Sequence, residues 1–500
     1  MSAPPLADLP TLPETTLASD APRAGPALTL GQALADRVAA RIQRGALAPG
    51  ARLPSVREGA RQHGVSPSTV VAAYDQLQAQ GLVEARRQRG FFVRDAAAAA
   101  QARALPRPAE RPLPMAAPVD ATALIRGMFH QGAQPAGPGM GTLPESWLDA
   151  RLLDRALRQA LGASADALRY GDPAGDPTLR QALSRRLGAD LGIAAAPGQI
   201  VTTLGATHAL DLISRTLLQP GEAVLVDEPG WAVEFARLSR QGLHLLPVPR
   251  GPDGPDLGVM AELLARHRPR LYVTVSVLHN PTGHSLSLAA AHRILKLAEQ
   301  HALTIVEDDT YAWLAPAHAP RLAALDGLQR TVYVSGFSKI LAPNWRVGYL
   351  AAAPALAERL IDTKLLSALT TPALHERAVA WCLDQGLLRR HADRVQRRLD
   401  AARTRVVRLA QAAGCRFAAP PQGVFGWVDT GVDTEALASR MARAGWLVAP
   451  GRLFLATPRH STLMRVNFAS AQDAPFWQAF ESARDALGGA PASSTCAAGA

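Results

Sequence analysis

Residues 331–346 read TVYVSGFSKILAPNWR. Thr331 to Val334 are β-branched or aromatic and carry no charge, which predicts a buried strand. Ser335-Gly336-Phe337-Ser338-Lys339 follow at once, and Arg346 stands seven residues beyond the lysine. The strand thus delivers small residues, hydroxyls and two cations to its carboxyl end.

Other segments repeat this plan. Strand-like runs occupy Gln199 to Thr203, Ala223 to Asp227, Leu243 to Val248, Leu271 to Ser276 and Thr304 to Val306, with helical stretches between most of them. Strands alternating with helices predict an α/β fold whose sheet is mostly parallel and covered on both faces. Ligands on such sheets lie in crevices at the strands' carboxyl ends. Chemistry-bearing residues collect there. His279-Asn280-Pro281-Thr282-Gly283 ends one run, and Val306-Glu307-Asp308-Asp309-Thr310-Tyr311 ends another. Gly205-Ala206-Thr207 opens the helix after the first run, where free backbone amides suit an anion. Each piece alone has a bland reading: a surface lysine, a loop acid, a turn, a helix cap. Lysine is scarce, however. Lys296, Lys339 and Lys364 are the three lysines among 53 basic residues, so chemistry that needs a primary amine has few carriers.

A smaller unit precedes this one, over residues 29–94. Leu34, Val38 and Ile42 mark one face of a first helix. Ser55 and Glu58 have the spacing of a capping box for a second, and Gly64 fits the turn after it. Ser66-Pro67 supply an N-cap and a first-turn proline for a third helix, with Val70, Tyr74 and Leu77 on its buried face and Gly81 at its C-cap. Leu82 to Ala85 and Phe91 to Val93 flank the basic turn Arg86 to Gly90, which predicts a two-stranded wing. Three helices and a wing form a winged helix-turn-helix, whose third helix fits the DNA major groove. Residues 29–95 hold ten arginines against five acids, a balance suited to a polyanion.

The remainder sets boundaries. Residues 1–28 read as a disordered tail, 95–118 as an Ala/Pro-rich linker, 119–487 as the large unit and 488–500 as a second tail. With 48% apolar and 19% charged residues, the chain is neither collagenous nor wholly disordered. Its longest apolar runs, such as Leu271 to Leu278, are too short to span a bilayer. The N-terminus lacks the pattern of a secretory signal. Cys382, Cys415 and Cys496 lie far apart, which suggests neither a disulfide framework nor a metal knuckle and fits the cytoplasm.

The small unit resembles the DNA-binding domain of the GntR family. Its L-P-S-V-R-E-G-A, G-V-S-P-S-T-V and Y-D-Q-L-Q-A-Q-G segments follow the family pattern in order. The resemblance implies that Arg52 and Arg57 meet phosphate or base, that Ser66, Ser68 and Thr69 start the recognition helix, and that Arg89 and Gly90 enter the minor groove. Pro67 departs from the basic or polar residue common in relatives. The large unit resembles fold type I pyridoxal-phosphate enzymes, the aspartate aminotransferase superfamily. That resemblance implies pyridoxal 5'-phosphate as cofactor, with Lys339 as the Schiff-base lysine and Asp308 facing the pyridine nitrogen. Asn280 and Tyr311 would bind the ring 3'-oxygen, and Trp231 would stack on the ring. Gly205, Ala206, Thr207, Ser338 and Arg346 would hold the phosphate, with Tyr170 reaching it from a neighbouring subunit. Arg465 would clamp an amino acid's α-carboxylate. Gly336 departs from the usual Ser or Thr, leaving Ser335 or a water to replace the missing hydroxyl. Together the two units resemble the MocR subfamily of GntR-type transcriptional regulators. This implies a homodimer that binds promoter or operator DNA and senses the cofactor, an amino acid or an amine. The alternative is a working aminotransferase that carries a DNA-binding head.

Overall fold

The structure is a computed structural model that describes residues 29–86, 89–94, 122, 137–162, 168–316 and 318–488. The expected tail over 1–28, the expected linker over 95–118 and all but Gly488 of the expected second tail lie outside the described residues. The chain divides into two compact units, Met1–Pro114 and Met115–Ala500.

The first unit holds α1 (Leu30–Gln43), α2 (Val56–His63) and α3 (Pro67–Ala79), then the antiparallel pair β1 (Val83–Arg86) and β2 (Gly90–Val93). Leu34, Val38, Val70, Tyr74, Leu77, Val83 and Val93 share one core. The Tyr74 hydroxyl donates to the Pro54 carbonyl at 3.0 Å, tying α3 to the entry of α2. The reciprocal capping box forms at Thr29 and Gln32, a pair absent from the reading of the sequence. At Ser55 one half of the expected box is made: its hydroxyl accepts from the Glu58 amide at 3.3 Å. Gly81 lies one residue past the C-cap Gln80, at φ 73°.

The second unit is built on an eight-stranded sheet. Its strands are β3 (Ile200–Thr203), β4 (Ala223–Glu228), β5 (His244–Gly251), β6 (Gly254–Pro255), β7 (Leu271–Thr274), β8 (Thr304–Asp308), β9 (Thr331–Gly336) and β10 (Gly348–Ala351). They lie in the order β3-β10-β9-β8-β7-β4-β5-β6. The run β5-β4-β7-β8-β9 is parallel, whereas β10 is antiparallel to both β9 and β3. Strand alternation covers both faces. Val224, Val226, Val332 and Val334 enter one hydrophobic layer; Leu225, Tyr272 and Ile305 enter another. A smaller antiparallel sheet follows, of β11 (Arg416–Phe417), β12 (Phe425–Asp429), β13 (Ala449–Pro450) and β14 (Leu463–Asn467), in the order β11-β12-β14-β13. No helix among the described residues is long and apolar enough to cross a membrane.

Candidate functional site

The carboxyl ends of β8 and β9 bring Asp308 and Lys339 together. Glu307 and Asp308 end β8 and Asp309 follows it, and backbone alternation separates the three acids. Glu307 faces away from the lysine and accepts from the Leu322 and Ala323 amides at 2.7 and 2.8 Å and from the Ser276 hydroxyl. Asp309 accepts from Arg321 Nε at 2.6 Å and from the Tyr333 hydroxyl at 2.9 Å. Asp308 alone acts on Lys339 and Tyr311. It accepts from the Thr310 amide at 3.0 Å and from the Thr310 hydroxyl. Burial raises its carboxyl to about 6, with Glu234 pushing the same way. Burial first, then the charges of Arg465 and Arg346, lowers the Lys339 amine to about 8.

A tight cradle adjoins this pair. Gly205 caps the helix Ala206–Leu217 at φ 80°. A Cβ on Gly205 would lie 2.5 Å from Arg346 Nη2, and one on Gly348 would lie 2.5 Å from the Gly205 carbonyl carbon. Arg346 folds over this turn, donating to the Leu204 carbonyl at 2.9 Å and to the Ser338 hydroxyl at 3.2 Å. Ala206 and Thr207 are half-buried in the first helical turn. His208 Nδ1 accepts from the Leu204 amide at 3.0 Å. Burial and the charges of Lys364 and Arg346 lower the His208 pKa, which suits that acceptor role. Gly336 has a packing reason: a Cβ there would meet the Val347 carbonyl oxygen at 3.2 Å and Gly348 Cα at 3.3 Å. Ser335 does not replace the missing hydroxyl. It is fully buried and donates to the Asp309 carbonyl at 2.8 Å, because neighbouring strand residues point to opposite faces.

Arg465, on β14, closes the group. Its Nη1 donates to Asn280 Oδ1 at 2.8 Å and its Nη2 to the Gly139 carbonyl at 2.6 Å. Its guanidinium lies 4.5 Å from the Phe425 ring centre and 5.0 Å from that of Phe454. Desolvation lowers its pKa to about 10. Its Nε is buried without a hydrogen-bond partner among the described residues. Tyr311 is buried, edge-on to Phe425 at 5.4 Å, and burial raises its hydroxyl pKa. Trp231 is half-buried at the start of the helix Ala232–Arg240. Tyr170 is 82% exposed.

In the first unit, Arg52, Arg57, Arg89 and Gly90 are exposed. Arg52 bridges to Phe92 on the wing, and a Cβ on Gly90 would lie 3.5 Å from Arg52 Nε. The wing turn closes through the Arg89 amide, which donates to the Arg86 carbonyl at 2.9 Å. Ser66 caps α3 by accepting from the Thr69 amide at 3.1 Å. Its hydroxyl also meets those of Ser68 and Thr69, at 2.7 and 2.8 Å.

Family comparison matches residues 30–93 to the bacterial regulatory proteins of the gntR family and residues 138–480 to the class I and II aminotransferases. The HTH-type transcriptional regulator TauR of Rhodobacter capsulatus is 34% identical over 443 residues, covering 83% of this chain and 87% of the relative. The probable rhizopine catabolism regulatory protein MocR of Rhizobium meliloti is 32% identical over 385 residues, covering 75% of each chain. The chain belongs to the MocR-type regulators, a GntR head joined to an aminotransferase domain. Among solved structures, the α-aminoadipate aminotransferase LysN of Thermus thermophilus, complexed with N-(5'-phosphopyridoxyl)-L-leucine, is 26% identical. It covers 73% of this regulator and 94% of its own chain, with a TM-score of 0.66.

Several residues around the regulator's site carried no sequence signal. Glu228 accepts from the Ala456 amide and from Arg459, both at 2.8 Å, and so joins the end of β4 to the smaller sheet's subdomain. Phe425, Phe454 and Gly139 surround Arg465 from distant parts of the chain. The Trp231 region was legible, but the residues that fasten it were not.

Proposed function

We propose that this regulator holds pyridoxal 5'-phosphate on Lys339, reads an amino acid or amine beside it, and changes its binding to promoter DNA accordingly. The observation that carries the reading is the gathering of the half-buried Lys339, the Asp308 carboxylate, Arg346 and Arg465 where the carboxyl ends of β8 and β9 meet β14. The donor set fits the cofactor. Gly205 and Gly348 leave a cradle whose walls are backbone and Arg346, as an anion at a helix N-terminus requires. Gly205, Ala206, Thr207, Ser338 and Arg346 would hold the phosphate. Asp308 would face the pyridine nitrogen and keep it protonated. When bound, the cofactor supplies an electron sink for the amine's carbon.

The chain's own groups divide the remaining work. Asn280 gives its oxygen to Arg465, so its amide nitrogen is left to donate to the ring 3'-oxygen, beside Tyr311. Trp231 would cover the ring face. Arg465 has two nitrogens engaged and its Nε unengaged, which leaves a donor for a carboxylate. Arg52, Arg57, Ser66, Ser68, Thr69, Arg89 and Gly90 would form the DNA interface. A homodimer would place Tyr170 at the second subunit's phosphate. The exposed Leu168, Tyr170, Leu366 and Leu369 support a second copy there. A DNA partner implies a cytoplasmic location. Lys339, freed by a bound amine, would also be the base for a proton on that amine's α-carbon, so slow transamination is compatible with the regulator.

A ligand changes DNA binding only by favouring one arrangement of the protein over another. One preparation tests the reading. Cofactor is added, borohydride fixes it, and the modified lysine is mapped; DNA affinity is measured with and without candidate amino acids. Label on Lys339 and a roughly 5–150-fold ligand effect on DNA affinity are expected. Label on Lys296 or Lys364, or rapid turnover with DNA binding blind to every ligand, would overturn it.

A further inference from the structure

The exposed face of α3 is unusual for a helix that reads bases. Its buried stripe is Val70, Ala73, Tyr74 and Leu77. The opposite stripe, at helical spacing, is Pro67, Ser68, Val71, Ala72 and Asp75, all exposed, with Val71 at 42%. From Gly64 to Asp75 the chain carries no Arg, Lys, His, Asn or Gln. Arg, Lys, Asn and Gln are the side chains that hydrogen-bond base edges in pairs. The hydroxyls of Ser68 and Thr69 are drawn onto Ser66, which itself caps the helix. The first two turns therefore present methyl and methylene groups and no long donor. Exposed cations flank this stretch in the sequence: Arg52, Arg57 and Arg61 precede it and Arg86 and Arg89 follow on the wing. Positioning on phosphate and reading of bases are thus carried by different residues.

We infer that α3 recognises its DNA through thymine C5-methyl groups, with Pro67, Val71 and Ala72 as the contact surface. The inference rests on the reading of the head as a DNA-binding domain and names what that domain selects. Thymine is the base that shows an apolar group in the major groove, and small apolar side chains are its complement. Close packing of Val71 and Ala72 on the groove floor needs a short side chain at each place, and the chain has one. Arginines on the flanks supply the attraction that an uncharged face lacks.

The test uses the full-length protein and a randomised duplex library. Enriched duplexes are resynthesised with deoxyuridine for thymine, one position at a time, which removes the C5-methyl and leaves base pairing intact. Affinity should fall about fourfold at a position under Val71 or Ala72, the effect of exposing one buried methyl-sized group. Val71→Ser and Val71→Asn, which set a polar group where the two methyls stood, should each bring the thymine-to-uracil ratio towards one at the Val71 position. A thermal scan checks that both variants fold. An enriched duplex whose affinity is unchanged by full deoxyuridine replacement overturns the inference while the head remains a sequence reader. Sensitivity to 7-deazaguanine in place of uracil assigns readout to hydrogen bonds and overturns it equally. If no sequence is enriched over random DNA, the DNA-binding reading fails and this one with it.

Discussion

In the head, Arg52, Arg57, Arg61 and Arg89 stand exposed around a helix whose first two turns carry no basic residue. In the large unit, Arg250, Arg321 and Arg465 are buried, against Asp227, Asp309 and Asn280. One residue type thus serves two physical purposes. Exposed guanidinium groups attract a polyanion over a distance comparable to the Debye length, tolerate misalignment and weaken with salt. Buried ones act through fixed geometry in a low dielectric, where removing one partner leaves the other stranded.

The sharpest way to break this contrast is Arg321→Met. It strands Asp309 in the core and should cost about 3–5 kcal/mol in the large unit's urea unfolding. The head's transition should not move. A cost near zero would mean that the buried pairs are as dispensable as surface ones.

Asp308→Asn comes next. Loss of a charge-assisted hydrogen bond of about 1.5–3 kcal/mol should weaken cofactor binding by roughly tenfold to a hundredfold, read from a visible-band titration. The same variant tests a pH effect without cofactor. Burial raises the folded carboxyl to about 6 from 3.8, so the folded unit favours the protonated form. Stability from this group is present below about pH 4 and is lost as pH rises through about 6. Wild-type protein should therefore lose stability relative to Asp308→Asn between those values, measured by thermal midpoints of both.

Smaller effects belong to the head. Arg57→Ala and Arg89→Ala should each lower the slope of log affinity against log salt by about one. Their unfolding midpoints should stay within about 0.5 kcal/mol of the parent, as at other surface sites. Loss of more stability than DNA affinity would move these arginines into the structural class. Ser66→Ala acts on the head's stability instead. Losing an N-cap costs about 1 kcal/mol, and the head's thermal transition is the readout.

The residues that stand directly after strands were legible because strand ends concentrate chemistry in an α/β sheet. Asp308 could be picked from Glu307, Asp308 and Asp309 by resemblance, and alternation along β8 gives the physical reason. β10 was not legible. Gly348 to Ala351 is four residues long, lacks a period and runs against its neighbours, so nothing local distinguishes it from a loop. The capping box was read at Ser55 and formed fully at Thr29, because the sequence supplies cap residues at both places and packing decides which side chain turns back. Ser335 was open as a phosphate ligand until its face of β9 was known. Contacts such as Arg465 to Asn280 and Glu228 to Arg459 join residues far apart in sequence, and no local pattern encodes them.

The three lysines also make the protein a selective object for amine chemistry. Lys364 is fully buried beside Thr202 and Thr371, Lys339 is half-buried at the candidate site, and Lys296 is exposed on the helix Leu288–Gln300. A mild acylating dye should therefore mark Lys296 before Lys364. An aldehyde small enough to enter the cleft would be drawn to Lys339, whose lowered pKa leaves more of it neutral. Two optical reporters, one on the surface and one in the pocket, could then be installed without changing a single codon.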